Sequence, residues 1–72
     1  MNPAPHAIIV ANGTPYSISM PCNLKNFLEQ LNLLPRSVVV EHNGHPVAPS
    51  DFSNHPVHDG DQLEIVKIVA GG

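Results

Sequence analysis

The dipeptide Asn-Gly occurs twice in this chain, at Asn12-Gly13 and Asn43-Gly44, each time between short runs of β-branched or alternating residues. A type I′ turn demands two adjacent residues that tolerate positive φ, and its twist matches that of the antiparallel strands it joins. Two hairpins are therefore expected. Ala7 to Ala11 precede the first turn. After it, Tyr16, Ile18 and Met20 alternate with Ser17 and Ser19, the period of a half-buried strand, until Pro21 stops the run. Ser37 to His42 lead into the second turn, and His45-Pro46-Val47 follow as a short edge strand, because Pro46 has no N–H to give a ladder.

Between the hairpins lies one helix signal. Leu24, Phe27, Leu28 and Leu31 fall at i, i+3, i+4 and i+7 and so share a face, Asn23 suits the N-cap, Asn32 can close the helix in the left-handed conformation, and Pro35 prevents continuation. Residues 48–58 contain Pro49 and Pro56 and read as a packed loop, with one helical turn near Ser50 and with Phe52 and Val57 as its anchors. Asp59-Gly60-Asp61 makes another tight turn, and Gln62 to Val69 is the longest strand signal in the sequence. Strand, strand, helix, strand, short strand, strand is the order of an α+β chain of the β-grasp, ubiquitin-like kind. The expected architecture is a mixed four- to five-stranded sheet packed on one main helix. Residues 1–5, with two prolines, form a lead-in; residues 6–69 form the domain; residues 70–72 form a Gly-Gly tail.

Composition narrows the function. With 72 residues the chain is one small domain, of the size that buries only about 60% of the unfolded surface. Three basic residues against six acidic ones give a net charge of −3, which excludes the clustered Lys and Arg that phosphate neutralisation needs and argues against nucleic acid as a partner. No apolar run approaches the roughly 20 residues of a membrane span. The single Cys22 and the absence of a signal-like start point to a cytoplasmic chain, monomeric by itself. There is no phosphate loop or nucleophile-base pair, so no residue is cast as catalytic and an enzyme is not expected.

Val38-Val39-Val40-Glu41-His42-Asn43-Gly44, followed by Asp59-Gly60-Asp61-Gln62-Leu63-Glu64-Ile65-Val66 and a terminal Ala70-Gly71-Gly72, resembles the ThiS sulfur carriers of thiamine biosynthesis over roughly His6 to Gly72. Ala70 stands where many members carry a third glycine, and the lead-in is longer than usual. The small subunits of molybdopterin synthase, which are related carriers, also end in Gly-Gly, but after a Pro-containing tail rather than a run such as Ile65 to Val69. The resemblance implies that the Gly72 carboxylate is adenylated with ATP by a partner adenylyltransferase of the ubiquitin-activating type. A sulfur donor enzyme then converts it to a thiocarboxylate, and a thiazole synthase takes the sulfur. ATP belongs to the partner and the chain itself binds no cofactor. The alternatives are a molybdopterin-type carrier, a ubiquitin-like modifier joined to lysines, and a β-grasp module that only mediates contacts.

The residues suit such a tail. Gly71 and Gly72 lack Cβ, so the backbone can thread a narrow channel, and residues 69–72 fully extended span about 13 Å. In the last strand Leu63 and Ile65 share one face while Glu64, Val66 and Ile68 share the other. With Val38 and Val40 inward, Val39 joins Val66 and Ile68 as a possible partner-docking patch; a bulge turning Val66 or Ile68 into the core is the competing arrangement. The pairs His42/His45 and His55/His58 repeat a three-residue spacing, but with no thiolates beside them they read as solvated loop histidines and no metal site is expected. Cys22 reads as a small, partly buried side chain, and Asp59 and Asp61 as acceptors for turn amides.

Overall fold

The computed structural model describes residues 5–69. Both Asn-Gly pairs adopt the positive φ that their turns require: 51° and 81° at Asn12 and Gly13, 50° and 85° at Asn43 and Gly44. The first joins β1 (His6–Ala11) to β2 (Thr14–Ser19), and the second joins β3 (Val38–His42) to β4 (His45–Val47). The helix α1 (Leu24–Gln30) lies between the hairpins, and β5 (Gln62–Lys67) comes last.

The five strands form one sheet in the order β2-β1-β5-β3-β4, the β-grasp arrangement, with β1 and β5 parallel and every other pair antiparallel. The last strand thus enters between the two hairpins. Both outer strands carry a proline, Pro15 in β2 and Pro46 in β4, so each outer edge lacks a donor and is a poor template for further pairing.

Alternation decides the faces. Ala7, Ile9 and Ala11 of β1, Val38 and Val40 of β3, and Leu63 and Ile65 of β5 point inward onto Leu24, Phe27 and Leu28 of α1. Tyr16 meets the edge of the Phe27 ring, with centroids 5.8 Å apart and planes at 86°. The helix has only seven residues, too few to persist alone, so burial of its apolar face sustains it. Its ends are nevertheless well made. The Asn23 side chain accepts from the Asn26 amide at 2.8 Å. At the other end Asn32 takes φ 59°, and the Leu33 amide reaches back to the Leu28 carbonyl at 2.9 Å, closing a Schellman motif.

Four boundaries differ from expectation. β2 stops at Ser19 rather than Met20, although the Met20 amide still donates to the Pro5 carbonyl at 2.9 Å. Ser37 belongs to a 3₁₀ turn, Pro35–Ser37, rather than to β3, because Pro35 presets the first turn of a short helix. The helical turn near Ser50 extends through Pro49–Asn54, with Phe52 buried under it, and Val57 anchors the exit. The last strand ends at Lys67 rather than Val69: the Ile68 amide still donates to the Ser37 carbonyl at 2.8 Å, but the partner strand has by then curled into that 3₁₀ turn.

β1 and β5 pair over only two residues, Val10 with Gln62 and Ala11 with Leu63, before β1 turns away. The side chain of Asn12 carries the ladder one step further. Its Nδ2 donates to the Ile65 carbonyl and its Oδ1 accepts from the Ile65 amide, both at 2.8 Å, as a strand peptide would. Asn12→Asp keeps the size and the acceptor but sets a second oxygen against the Ile65 carbonyl. We expect a loss of about 1–3 kcal/mol in urea denaturation at neutral pH, with the Ile65 amide exchanging faster than in the parent.

Candidate functional site

The proposed chemical site, Gly72, its neighbour Gly71, and Ala70 lie outside the described residues. The strand that leads to them does not. β5 pairs with β3 in unbroken register, from Val38 opposite Lys67 to His42 opposite Leu63, so no bulge turns Val66 or Ile68 inward. Val39 stands directly opposite Val66, and Ile68 lies diagonally beyond, bonded to Ser37. The three are 51%, 62% and 56% exposed, so the residues of the anticipated patch do adjoin one another on the sheet face turned away from α1.

A second cluster sits at the opposite end of β5, and sequence reasoning missed it. His42 at the end of β3 bonds Asp61 through Nε2 at 2.7 Å, while its Nδ1 lies 2.7 Å from Nε2 of His55. The carboxylate can only accept, so His42 donates to it from Nε2, and the contact between the two rings joins one donor nitrogen to one acceptor nitrogen. Asp61 also takes the His58 amide at 2.7 Å and the Asn43 side-chain amide at 3.1 Å. Burial pushes the Asp61 carboxyl up, but the hydrogen bonds from His42, the His58 amide and Asn43, with the attraction of His42, outweigh it and hold the group below its ordinary value.

His42 and His55 are thus not solvated loop histidines. They are half-buried and stacked edge to face, with centroids 4.7 Å apart, and they tie the β3–β4 hairpin to the loop before β5. The expected three-residue spacing had no bearing on this: His42 meets His55, not His45, across a distance of 13 residues in the chain. The visible signal was only that His42 and Asp61 both abut tight turns, which the fold brings together at one end of the sheet. His45 and His58 are exposed.

The cluster lacks a nucleophile. Cys22 is buried, its thiol donates to the Asn23 carbonyl at 3.3 Å, and burial pushes its pKa up. Asp59 accepts the Ile8 amide at 2.7 Å, the turn role anticipated for it. Among the described residues, no group of three or more His, Cys, Asp or Glu side chains is arranged to hold a metal ion, and no helix is long and apolar enough to cross a membrane. The arrangement works as a clasp.

The molecule therefore presents a small β-grasp body with an apolar face beside the strand that continues into Gly-Gly, the layout of a carrier domain. Residues 9–72 match the model of the ThiS family, and the chain belongs to that family of sulfur carriers. The crystal structure of the thiamine biosynthesis protein ThiS from Geobacter metallireducens is similar with a TM-score of 0.76 and 28% identity, covering 90% of this chain and 99% of that one. A solution structure of a thiamine biosynthesis protein from the same organism gives 0.74 and 28%, over 90% and 87%. Over 64 residues, 89% of this chain, it is 36% identical to a thiazole synthase of Paramagnetospirillum magneticum, and it spans only 20% of that protein's length. Over the same share it is 34% identical to ycf40, an uncharacterized protein of Pyropia yezoensis, and covers 90% of it.

The clasp makes a pH prediction. Because Asp61 has a lowered folded-state pKa, its contribution is present above the ordinary carboxylate range and is lost as pH falls through the folded value. Asp61→Asn is expected to cost about 2–3 kcal/mol at pH 7, and the gap between parent and variant should begin to narrow below about pH 4 and shrink further as pH falls through the folded value. Urea midpoints measured across that range check this; a gap independent of pH would show that the charge is immaterial.

Proposed function

We propose that this chain carries sulfur on the carboxyl group of Gly72 for the making of a thiazole ring in thiamine biosynthesis. The match to the ThiS family runs through residue 72, five residues past the end of the central strand of the sheet, and this observation carries the reading.

A carboxylate is a poor electrophile, so the step needs activation. A partner adenylyltransferase joins the Gly72 carboxylate to the α-phosphorus of ATP, releasing pyrophosphate and leaving an acyl-adenylate. A sulfur nucleophile from the donor enzyme attacks the acyl carbon and AMP departs. If that nucleophile is a persulfide, a second thiol cleaves the S–S bond and frees the thiocarboxylate. The chain contributes the carboxyl group, glycines that offer no side chain to block a channel, and a body for the partner to hold. It is a carrier, not the enzyme.

Since β5 ends at Lys67, residues 68–72 set the distance between the sheet and the reacting atom, at most about 17 Å when fully extended. The exposed Val39, Val66 and Ile68 beside that tail are the surface on which the adenylyltransferase docks. That a protein named thiazole synthase contains a segment resembling this chain supports a thiazole synthase as the sulfur acceptor.

Incubation with the adenylyltransferase, ATP and a sulfur donor should replace one oxygen of Gly72 with sulfur, as read by intact-mass spectrometry; modification that persists after removal of Gly71 and Gly72 would refute the assignment. Val66→Asp should leave the fold intact, since Val66 is mostly exposed, yet weaken binding to the adenylyltransferase by about tenfold or more. Unchanged affinity in calorimetry would move the docking surface elsewhere.

A further inference from the structure

The side of β5 that faces β1 is bonded at alternate residues and then stops. The Asp61 carbonyl accepts from Val10 and the Leu63 carbonyl from Asn12, each at 2.9 Å, and the Ile65 peptide groups are taken by the Asn12 side chain. The other side of β5 faces β3 through the intervening residues, from the Asn43 amide on the Gln62 carbonyl to the Ile68 amide on the Ser37 carbonyl, both at 2.8 Å. Lys67 is next in the odd-numbered series, so its N–H and C=O point past the tip of the first hairpin. Among the described residues, neither finds a hydrogen-bond partner. An exposed strand edge of this kind is a template for another backbone.

The space in front of that edge has a definite shape. Leu31 and Leu33, just past the end of α1, join Tyr16, Thr14 and Ile65 around a groove of about 490 Å³. Leu31, Leu33 and Tyr16 are partly buried against the core and form an apolar floor, with Lys67 at the rim. A strand laid along β5 would send one side chain onto that floor and offer its peptide groups to Lys67.

We infer that an extended segment of the adenylyltransferase adds to the sheet at Lys67 as a further strand, placing an apolar side chain over Leu31, Leu33 and Tyr16. This rests on the carrier reading above, which requires that enzyme to hold the five residues after Lys67. The outer edges at β2 and β4 are marked by proline, whereas the edge at Lys67 is not and lies where the tail departs. Pairing there would fix the direction of the tail at its root, which a contact on the sheet face alone would not.

Residue-resolved amide exchange, followed by NMR with the adenylyltransferase and without ATP, tests the assignment. The Lys67 amide should exchange freely in the carrier alone and slow by at least about tenfold in the complex. Lys67→Pro removes that amide without removing a bond to β3, and it should bind the enzyme at least about tenfold more weakly than Lys67→Ala, which keeps the amide. An unprotected Lys67 amide in the complex, or equal affinities for the two variants, would overturn the added strand. Protection that appears in the carrier alone on raising its concentration would assign the edge to a second copy of the chain and overturn it equally. If Gly72 gains sulfur while Lys67 stays unprotected, the carrier reading stands and the added strand falls; if Gly72 is never modified by the enzyme, both fall.

Discussion

The last strand of the chain lies in the middle of the sheet, and the rest of the structure depends on that insertion. Without β5 the two hairpins have no common partner, because β1 and β3 never touch each other in the strand order. The pairing that holds it is unequal. Toward β3 it is a full antiparallel ladder over five residue pairs, whereas toward β1 it is a two-residue parallel contact extended by one side chain. Parallel pairing requires a long crossover, and here that crossover is everything from the end of β1 to the start of β5, so α1 is packed on one face as a consequence. Seven helical residues suffice because Leu24, Phe27 and Leu28 are wholly buried against strands from both hairpins.

Central placement gives the end of the chain its character. A terminal strand at an edge could peel away, exposing only one ladder; β5 cannot leave without breaking contacts on both sides and uncovering Leu63 and Ile65. The residues that follow Lys67 therefore start from one of the more rigid parts of the molecule. In the carrier role proposed above, a root held on both sides complements a sequence, Gly71-Gly72, whose lack of Cβ suits a narrow channel. The His42, His55 and Asp61 clasp acts at the opposite end of the same strand, fastening the loop that delivers the chain into the sheet.

Local signals made most of this legible in the sequence. The two Asn-Gly turns, the Leu24/Phe27/Leu28 face, the Asn23 and Asn32 caps and the alternation in β5 each depend on neighbours within a turn or two, and each appears as read. Even the exposure of Val39 follows from a period of two once Val38 and Val40 are inward. What escaped depends on distant partners. His42 acquires its environment from His55 and Asp61, and no spacing of histidines encodes that meeting; the inward or outward setting of Val66 needed the unbroken register with β3. The early end of β5 likewise reflects the curl of Pro35–Ser37 on the neighbouring strand, not anything in residues 68 and 69.

The asparagines of the two turns show how a local signal can carry a second, non-local instruction. Glycine or aspartate would also accept the φ near 50° found at Asn12 and Asn43. Of the three, only asparagine carries a donor and an acceptor together, on separate atoms of one side chain. Asn12 uses both on Ile65, at the edge of β5 that faces β1. Asn43 accepts the Gln62 amide at 2.9 Å and donates to Asp61, at the edge that faces β3. Each turn thus reaches across to hold the strand its hairpin must receive. The residue chosen for the bend is also the one that completes the ladder where the backbone, having turned, no longer can.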